Sequence, residues 1–353
     1  MKKYQFPILL FISLFSCSQN EDLTLTTKSL YFPTLAGDDW ETIAPSELNW
    51  DEHKIEELLT YLEAKNTKSF IVLYNGRIAI EQYFNNHSES KPWYWASAGK
   101  TLTSVTTGIA QEKGLLNINT KVSDYLGNGW TSASTVKENL ITCKHLLTMT
   151  SGLDDDLGDA VNSINLQYKA DAGTRWAYHN VYVKLQDVIE ATAKQPFSTF
   201  FNTNLRDKIG MTGIWLQTGD FSVFYSTARS MARFGLLAFN KGTWDTTEII
   251  NADFFNNSIS TSQNINNAYG YLWWLNGKSN YHLPQSQFEF QGALIPNAPN
   301  DLYAALGKND QKIYVSPSKK LVIIRMGESA DATNFALSNF DNELWEKLNL
   351  IID

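Results

Sequence analysis

The chain has 353 residues, of which 43% are hydrophobic and 19% charged, and its formal net charge is −8. This composition supplies enough apolar surface for one large core or two joined subdomains, and it excludes intrinsic disorder as the main state. The 29 basic residues form no Lys/Arg cluster. A nucleic-acid partner is therefore excluded, because binding to phosphates requires a basic surface.

The N-terminus is typical of a bacterial export signal. Two lysines precede the apolar stretch Phe6 to Phe15, which is too short to span a bilayer. The stretch runs into Leu14-Phe15-Ser16-Cys17, which resembles a lipoprotein box and implies cleavage before Cys17 and lipidation of its thiol. The alternative is an ordinary signal peptide with a chance cysteine. We expect residues 1–16 to be the signal peptide, and a membrane of the bacterial cell envelope (periplasm or outer-membrane face) to hold the protein only through the lipid.

The following segment indicates a spacer. Residues 18–45 are polar, Thr-rich and aperiodic, so residues 17–45 are predicted to be a tether that precedes a domain of residues 46–353. If Cys17 carries lipid, Cys143 has no intramolecular disulfide partner. Because Cys143 lies within an apolar pattern, we interpret it as a small buried hydrophobic residue.

The apolar pattern then predicts a helix, a hairpin and a long helical region in that order. Residues 51–64 have apolar side chains at helical spacing. Residues 69–84 contain an Asn75-Gly76 turn between two β-rich runs, which is a strong hairpin signal. Most of residues 97–225 indicate helices separated by polar turns. The predicted helices are 97–113, 142–149, 181–194, 197–208 and, after this region, 226–239.

Strand signals return after residue 268, in segments 269–275, 301–307, 311–317 and 319–326, and residues 333–351 indicate a terminal helix. This order predicts an α/β fold of the α+β type. A central antiparallel sheet would be flanked by N- and C-terminal helices, with an all-helical subdomain of about residues 105–225 inserted. We expect the ligand site in the cleft between these two parts.

Several kinds of site have no motif in this chain. It has only five histidines and contains neither HExxH nor CxxC, so no metal site is predicted. It contains no glycine-rich nucleotide fingerprint, so we expect no organic cofactor. It also lacks the GxSxG motif of the common α/β-hydrolases. The remaining nucleophile signature is Ser-x-x-Lys.

Ser-x-x-Lys occurs four times in the chain, whereas composition alone predicts about two matches, so the spacing by itself is not informative. Only Ser97/Lys100 lies at the start of a predicted helix. There the two side chains would share one face, and the helix dipole and burial would lower the pKa of Lys100. Lys100 could then accept the Ser97 proton, while the Ser97 amide could hold an oxyanion. The alternative is that Ser97 is an N-cap and Lys100 a solvated residue. The other matches are Ser88/Lys91, Ser134/Lys137 and Ser316/Lys319.

Four segments in a fixed order resemble the serine β-lactamase and penicillin-binding-protein superfamily. The resemblance is to its class C-like branch of esterases, D-aminopeptidases and 6-aminohexanoate-dimer hydrolases. It covers about residues 50–350 and implies the β-lactamase/transpeptidase-like fold. The segments are WASAGKTLTSV from Trp95, ITCKHLLTMTSGL from Ile141, AGTRWAYHNVYVKL from Ala172 and STARSMARFGLLAF from Ser226.

The resemblance implies a role for each matching residue. Ser97 matches the acylated nucleophile and Lys100 its base. Tyr178-His179-Asn180 matches the family's Tyr-x-Asn motif. This match implies that Tyr178 relays a proton to the leaving group and that Asn180 holds Lys100 or a substrate amide.

The third motif departs from the family pattern. Lys-Thr-Gly is absent, and the corresponding stretch is Leu302 to Gln311. The resemblance implies that the second oxyanion amide belongs to Leu306, within one or two residues, and that Gly307 permits close approach. In the family, the missing cation pairs with the carboxylate of a β-lactam or peptide. Its absence argues against efficient β-lactamase action. Trp93 and Tyr94, just before the nucleophile, are candidates for walls of the cleft.

We therefore expect an envelope-anchored serine hydrolase that cleaves a small ester or amide through an acyl-Ser97 intermediate. Lys100 and Tyr178 would be its proton shuttles. The alternative is a non-catalytic member of the same fold that binds a peptidoglycan fragment or a peptide in this cleft. Nothing in the sequence indicates the oligomeric state.

Overall fold

The structure is a computed structural model that describes Met1 and residues 29–37, 39–331 and 337–352. Cys17 and residues 2–16 of the predicted signal peptide lie outside the described residues. Among the helices that are described, none has the length and apolar character needed to cross a membrane.

The described residues form thirteen strands, six of which make the main sheet. That sheet is antiparallel throughout, with the order β2-β1-β13-β12-β11-β8. The strands are β1 (Thr67–Tyr74), β2 (Arg77–Tyr83), β3 (Trp93–Tyr94), β4 (Ile214–Thr218), β5 (Phe221–Ser226), β6 (Thr243–Trp244), β7 (Thr247–Glu248), β8 (Trp274–Leu275), β9 (Asn280–His282), β10 (Glu289–Gln291), β11 (Tyr303–Gly307), β12 (Gln311–Ser316) and β13 (Leu321–Gly327).

Helices cover both faces of the main sheet. The α-helices are α1 (Glu52–Ala64), α2 (Lys100–Glu112), α3 (Ser123–Leu126), α4 (Thr135–Glu138), α5 (Cys143–Leu147), α6 (Lys184–Ala193), α7 (Phe197–Phe201), α8 (Ala228–Phe239), α9 (Ala252–Ser258) and α10 (Asn339–Ile352). Tighter 3₁₀ turns are formed by Pro45–Leu48, Ala96–Gly99, Asn180–Val183, Asp207–Ile209 and Lys308–Asp310, and Asn202–Arg206 is a π-helical turn.

Alternation along β12 and β13 explains this layering, because successive side chains point to opposite faces of a sheet. On one face, Ile313 and Val322 pack against Gly235 of α8, where an added Cβ would lie 2.5 Å from Val322. On the other face, the Lys312 ammonium binds Asp341 of α10 at 2.9 Å. Helix α10 in turn packs on α1. The predicted antiparallel sheet between terminal helices is confirmed.

The end of the predicted helical region needs correction. Residues 214–226 form the antiparallel pair β4 and β5, which β3 extends to a three-stranded sheet. Trp215 and Phe224 face each other across this pair, and both contact Phe201 of α7. These cross-strand aromatic contacts favour strand pairing. The correction concerns one boundary and leaves the fold class unchanged.

The second part of the predicted tether also needs correction. Residues 29–37 and 39–44 lie along the turn between β1 and β2. The Tyr31 amide donates to the Asn75 carbonyl at 3.1 Å, and the Ile43 amide donates to the Ile78 carbonyl at 3.0 Å. The buried Arg233 guanidinium donates to the Thr34 carbonyl at 2.9 Å. Because its backbone groups are paired with the domain, this stretch belongs to the domain and not to a free spacer.

Candidate active site

Ser97 lies in a tight turn at the start of α2. The turn spans Ala96–Gly99, and α2 begins at Lys100 with no side-chain cap. Ala96 adopts a φ of 47°, which is unusual for a residue with a Cβ and lies next to the nucleophile candidate. The Ser97 side chain is partly exposed. Ser97 is therefore not the N-cap residue of α2, so the N-cap alternative is wrong.

Lys100 is buried beneath Ser97, so the solvated alternative is also wrong. Its side chain is 2% exposed, and its Nζ lies 2.7 Å from Ser97 Oγ and 3.2 Å from Asn180 Oδ1. Burial lowers the pKa of Lys100 to about 7, against an opposing effect of the Asp159 charge. A large fraction of Lys100 is therefore neutral at physiological pH. A neutral amine at this distance can accept the Ser97 proton.

Tyr178 borders the same amine and belongs to an aromatic cluster. The Lys100 ammonium position lies 5.0 Å from the Tyr178 ring centroid and 4.7 Å from that of Tyr182. Burial raises the pKa of Tyr178 to about 12, although hydrogen bonds with Ser97 and Trp274 oppose the rise. The phenol therefore stays protonated at neutral pH and can donate a proton. The rest of the cluster is Trp176, Tyr269 and Trp274.

His179, the middle residue of the motif, connects the site to a neighbouring loop. Its Nε2 lies 2.9 Å from the Gly158 carbonyl, and its Nδ1 accepts the Val181 amide at 3.2 Å. Burial lowers the pKa of His179, so the ring is neutral at physiological pH. These contacts position the loop and leave the His179 ring nitrogens engaged.

The other matches to the motif have different partners. Lys137 binds Asp171 at 2.5 Å, and Lys91 donates to the Asn86 carbonyl. The Ser316 hydroxyl is buried and has no hydrogen-bond partner among the residues that the structure describes. The structure therefore distinguishes Ser97/Lys100 from the three matches of equal spacing.

The third motif lies on β11, which approaches the turn that carries Ser97. A Cβ on Gly307 would lie 2.5 Å from the Trp95 carbonyl oxygen, 2.9 Å from the Ala98 nitrogen and 3.1 Å from the Ser97 nitrogen. A side chain of any size is therefore excluded at Gly307 unless the two elements move apart. Alternation places Ala305 on this same face, where the family pattern has its cation.

The register of β11 gives the direction of its free amides. The Leu302 carbonyl accepts a hydrogen bond from the Asn276 amide, so the backbone groups of Leu302 point toward β8 and away from β12. The backbone groups of every second residue after Leu302 share this direction. The Leu306 amide shares this direction, and so does the Lys308 amide, because Gly307 is extended with φ −129° and ψ 155°. Strand β8 pairs with β11 only as far as Ala304. The edge at Leu306 and Lys308 is therefore open toward the Ser97 turn.

A buried ionic cluster holds the turn that follows Gly307. Asn309 and Asp310 have φ values of 59° and 57°, and the Arg325 guanidinium donates to both of their carbonyls at 3.0 Å. The Lys312 ammonium lies 3.2 Å from Asp310 and 2.9 Å from Asp341. Paired charges of this kind fix a unique geometry because breaking one pair leaves a buried charge uncompensated.

The two aromatic residues before the turn have separate surroundings. The Tyr94 hydroxyl accepts from Asn309 Nδ2 at 2.6 Å, so it lies against the turn after Gly307. The Trp93 indole donates to the Gly327 carbonyl at 3.1 Å and packs edge-on with His87. The structure therefore brings Tyr94 to the third motif and gives Trp93 a contact at the end of β13 instead.

Gly307 offers a direct test of the close approach. We expect Gly307→Ala to lower activity by about 100-fold, because the Cβ must push β11 away from the Ser97 turn and a shift of ~1 Å displaces an oxyanion donor. The free energy of unfolding should fall by about 1–3 kcal/mol. The measurements are kcat/KM for a p-nitrophenyl ester and a urea unfolding curve.

Gly99→Ala is the matched control for this substitution. Gly99 has φ −65°, and its nearest non-neighbouring atoms to a new Cβ would lie at 3.8 Å, which is ordinary contact. It should therefore keep activity within a few-fold. Full activity in Gly307→Ala would contradict the role assigned to the close packing.

The beta-lactamase family model matches residues 62–339. The chain belongs to the beta-lactamase family. Members of this family are serine hydrolases, so hydrolase activity in general follows from the assignment. No curated protein matches the sequence significantly.

Solved structures of beta-lactamase-like proteins have the same fold. A proposed beta-lactamase of Bacteroides dorei DSM 17855 matches with a TM-score of 0.68 and 15% identity over 86% of this chain and 99% of that one. A proposed 6-aminohexanoate-dimer hydrolase of Bacillus anthracis matches with a TM-score of 0.68 and 17% identity over 90% of this chain and 89% of that one. A penicillin-binding-protein homologue of Caulobacter crescentus matches with a TM-score of 0.66 and 10% identity over 88% of this chain and 99% of that one. At these identities the likeness concerns the fold.

Several residues of this beta-lactamase-family site have no motif that predicts them. Asp159 reaches the site from an irregular loop and Tyr182 from the turn before α6. For Trp274 the sequence offers partial guidance, because side chains alternate along a strand and only one of Trp273 and Trp274 can face the cleft. In the structure, Trp273 stacks on Phe234 in the core and Trp274 contacts Tyr178.

Proposed function

We propose that this protein hydrolyses a small ester or amide through an acyl-Ser97 intermediate. The observation that carries the proposal is the buried Lys100 amine, which lies 2.7 Å from Ser97 Oγ and whose pKa is about 7. Such an amine can take the hydroxyl proton as the oxygen attacks the substrate carbonyl. Neither the formation nor the hydrolysis of the acyl-Ser97 bond needs a cofactor.

In acylation, Ser97 Oγ forms a bond to the carbonyl carbon and its proton moves to the Lys100 amine. Negative charge develops on the carbonyl oxygen, where the Ser97 amide and an amide of Leu306 or Lys308 would donate to it. Tyr178 is protonated and lies beside Lys100, so it can pass a proton to the leaving oxygen or nitrogen as that bond breaks. Asn180 keeps the Lys100 amine in place through its 3.2 Å hydrogen bond.

In deacylation, a water molecule attacks the acyl-Ser97 carbonyl. Its proton is taken by the same Lys100–Tyr178 pair, and Ser97 Oγ leaves and recovers a proton. Ala305 lies on the same face of β11 as Gly307, at the position where the family pattern has its cation, and it is buried and uncharged. A substrate carboxylate would meet no cation there, which favours esters and amides without that group over β-lactams.

A fluorophosphonate tests this function, because it phosphonylates an activated serine irreversibly. We expect one adduct in the intact mass of the protein and, after proteolysis, its location on the peptide that contains Ser97. An adduct on another residue would overturn the assignment of Ser97 as nucleophile. The absence of any adduct on folded protein would favour the alternative of a non-catalytic member that binds a peptide or peptidoglycan fragment.

We further propose that the protein is lipid-anchored in the bacterial cell envelope through Cys17. The support is the Leu14-Phe15-Ser16-Cys17 sequence after the short apolar stretch. In protein from bacterial membranes, we expect the mature N-terminal peptide to begin at Cys17 and to carry the mass of a diacylglyceryl group. A mature peptide without that mass would overturn the anchor, and a Cys17→Ser protein should be released from membranes.

A further inference from the structure

The proposed site ends in a carboxylate at its exposed side. Asn180 holds Lys100 with its amide oxygen and donates through Nδ2 to Asp159 Oδ1 at 3.2 Å. Asp159 is exposed, and its other carboxylate oxygen has no hydrogen-bond partner within the part of the chain that the structure describes. Three consecutive hydrogen bonds thus lead from Ser97 to a solvent-facing negative charge.

The loop that carries Asp159 is tied to the site at several points. The His179 ring binds the Gly158 carbonyl at 2.9 Å, and Asn180 also donates to the Asp159 carbonyl at 3.4 Å. Further back, the buried Asp155 pairs with Arg175, and the Gln285 amide donates to the Asp155 carbonyl at 3.1 Å. The Asp159 carboxylate is therefore held beside the site rather than on a free loop.

Within the part of the chain that the structure describes, no lysine or arginine forms an ion pair with Asp159. Burial lowers the pKa of Lys100 to about 7, so a large fraction of this amine is uncharged when a substrate binds at neutral pH. Burial also lowers the pKa of His179, so this ring is neutral. Arg175 is already paired with Asp155. Lys308 follows the extended Gly307, whose own face approaches the Ser97 turn, so the Lys308 side chain is directed to the opposite face.

We propose that Asp159 makes this site select esters or amides that carry a positive charge. The inference rests on the proposed function and extends it to a substrate class. A cationic group of the substrate could form an ion pair with the solvent-facing carboxylate oxygen while the substrate carbonyl lies at Ser97. A carboxylate-bearing substrate would be repelled by Asp159 at the same place.

A pair of thioesters of equal shape measures this selectivity. Acetylthiocholine carries a quaternary ammonium, and 3,3-dimethylbutyl thioacetate has carbon in place of that nitrogen. We expect the wild-type protein to show a higher kcat/KM for the cationic thioester, by about 5-fold, which is the size of one part-exposed ion pair. The preference should shrink as ionic strength rises.

Asp159→Asn should bring the ratio of the two kcat/KM values close to one, and Asp156→Asn is the matched control. Asp156 lies on the same loop but binds Lys169 at 3.1 Å and does not contact Asn180. Because the ratio compares two substrates on one protein, a general loss of activity or a shifted Lys100 pKa cancels. An unchanged ratio in Asp159→Asn overturns the proposal, as does an equal loss in Asp156→Asn.

The outcomes separate this proposal from the function on which it rests. Hydrolysis of both thioesters with fluorophosphonate labelling of Ser97, but with no charge preference, would leave the function standing and reject the role of Asp159. Absence of both turnover and labelling in folded protein would reject the function, and the substrate class with it.

Discussion

Ser97→Ala should abolish hydrolysis and fluorophosphonate labelling together. The substitution removes the oxygen that is proposed to form the acyl bond, while the amides and Lys100 that surround it remain. We expect kcat/KM for a p-nitrophenyl ester to fall by about 1000-fold or more, to the level of residual non-covalent catalysis. Intact mass should show no adduct after a time that labels the wild-type protein completely.

Ser134→Ala is the matched control, because Ser134 belongs to another Ser-x-x-Lys match in the same chain. Ser134 is exposed and makes no side-chain cap for α4. Labelling and turnover should be those of the wild type. Substantial ester hydrolysis by folded Ser97→Ala would show that a different residue is the nucleophile.

Lys100→Met should remove the general base without emptying its pocket. Methionine has a similar length and an apolar body that suits the surrounding aromatic rings. Loss of a positioned base costs about 10²- to 10⁴-fold in rate, so acylation of Ser97 by a p-nitrophenyl ester should slow by that factor. The thermal unfolding midpoint should not fall, because no buried amine has to be desolvated in the variant.

The pH profile separates a base from a merely structural lysine. Since the pKa of Lys100 is lowered to about 7 and only its neutral form accepts a proton, wild-type kcat/KM should fall as pH drops below 7 and level off above it. This acidic limb should be absent from the residual activity of Lys100→Met. Lys137→Met, at an exposed ion pair with Asp171, should keep both rate and profile. A wild-type limb that persists in Lys100→Met would assign the titration to another group.

Local patterns predicted the main elements of the fold. The Asn75-Gly76 turn specified the hairpin of β1 and β2, and both residues have the positive φ that such a turn requires. Helical spacing predicted α1 and most of α10, each of which buries one apolar face. Strands β4 and β5 were missed because their aromatic pairing depends on α7 and β3, which lie elsewhere in the chain.

The predicted site residues lie together in the structure where a motif occupies one short segment. Ser97 and Lys100 are three residues apart, so helix geometry alone places them together. The sequence determined the second oxyanion donor less well. In the register of β11, the amides of Leu306 and Lys308 point in the same direction, so either could be the donor. The packing of residues 29–37 and 39–44 was missed because part of it rests on backbone hydrogen bonds, such as those of Tyr31 and Ile43, which leave little trace in side-chain patterns.

The sequence by itself determined most of the element order, the spacing of Ser97 and Lys100 and the absence of Lys-Thr-Gly. Only the tertiary structure decided the state of these groups. It buries Lys100 under two tyrosine rings and so lowers its pKa, it packs Gly307 against the Ser97 turn, and it places Asp159 beside Asn180. Burial, close approach and electrostatic coupling join residues far apart in the chain, and no local pattern encodes those distances.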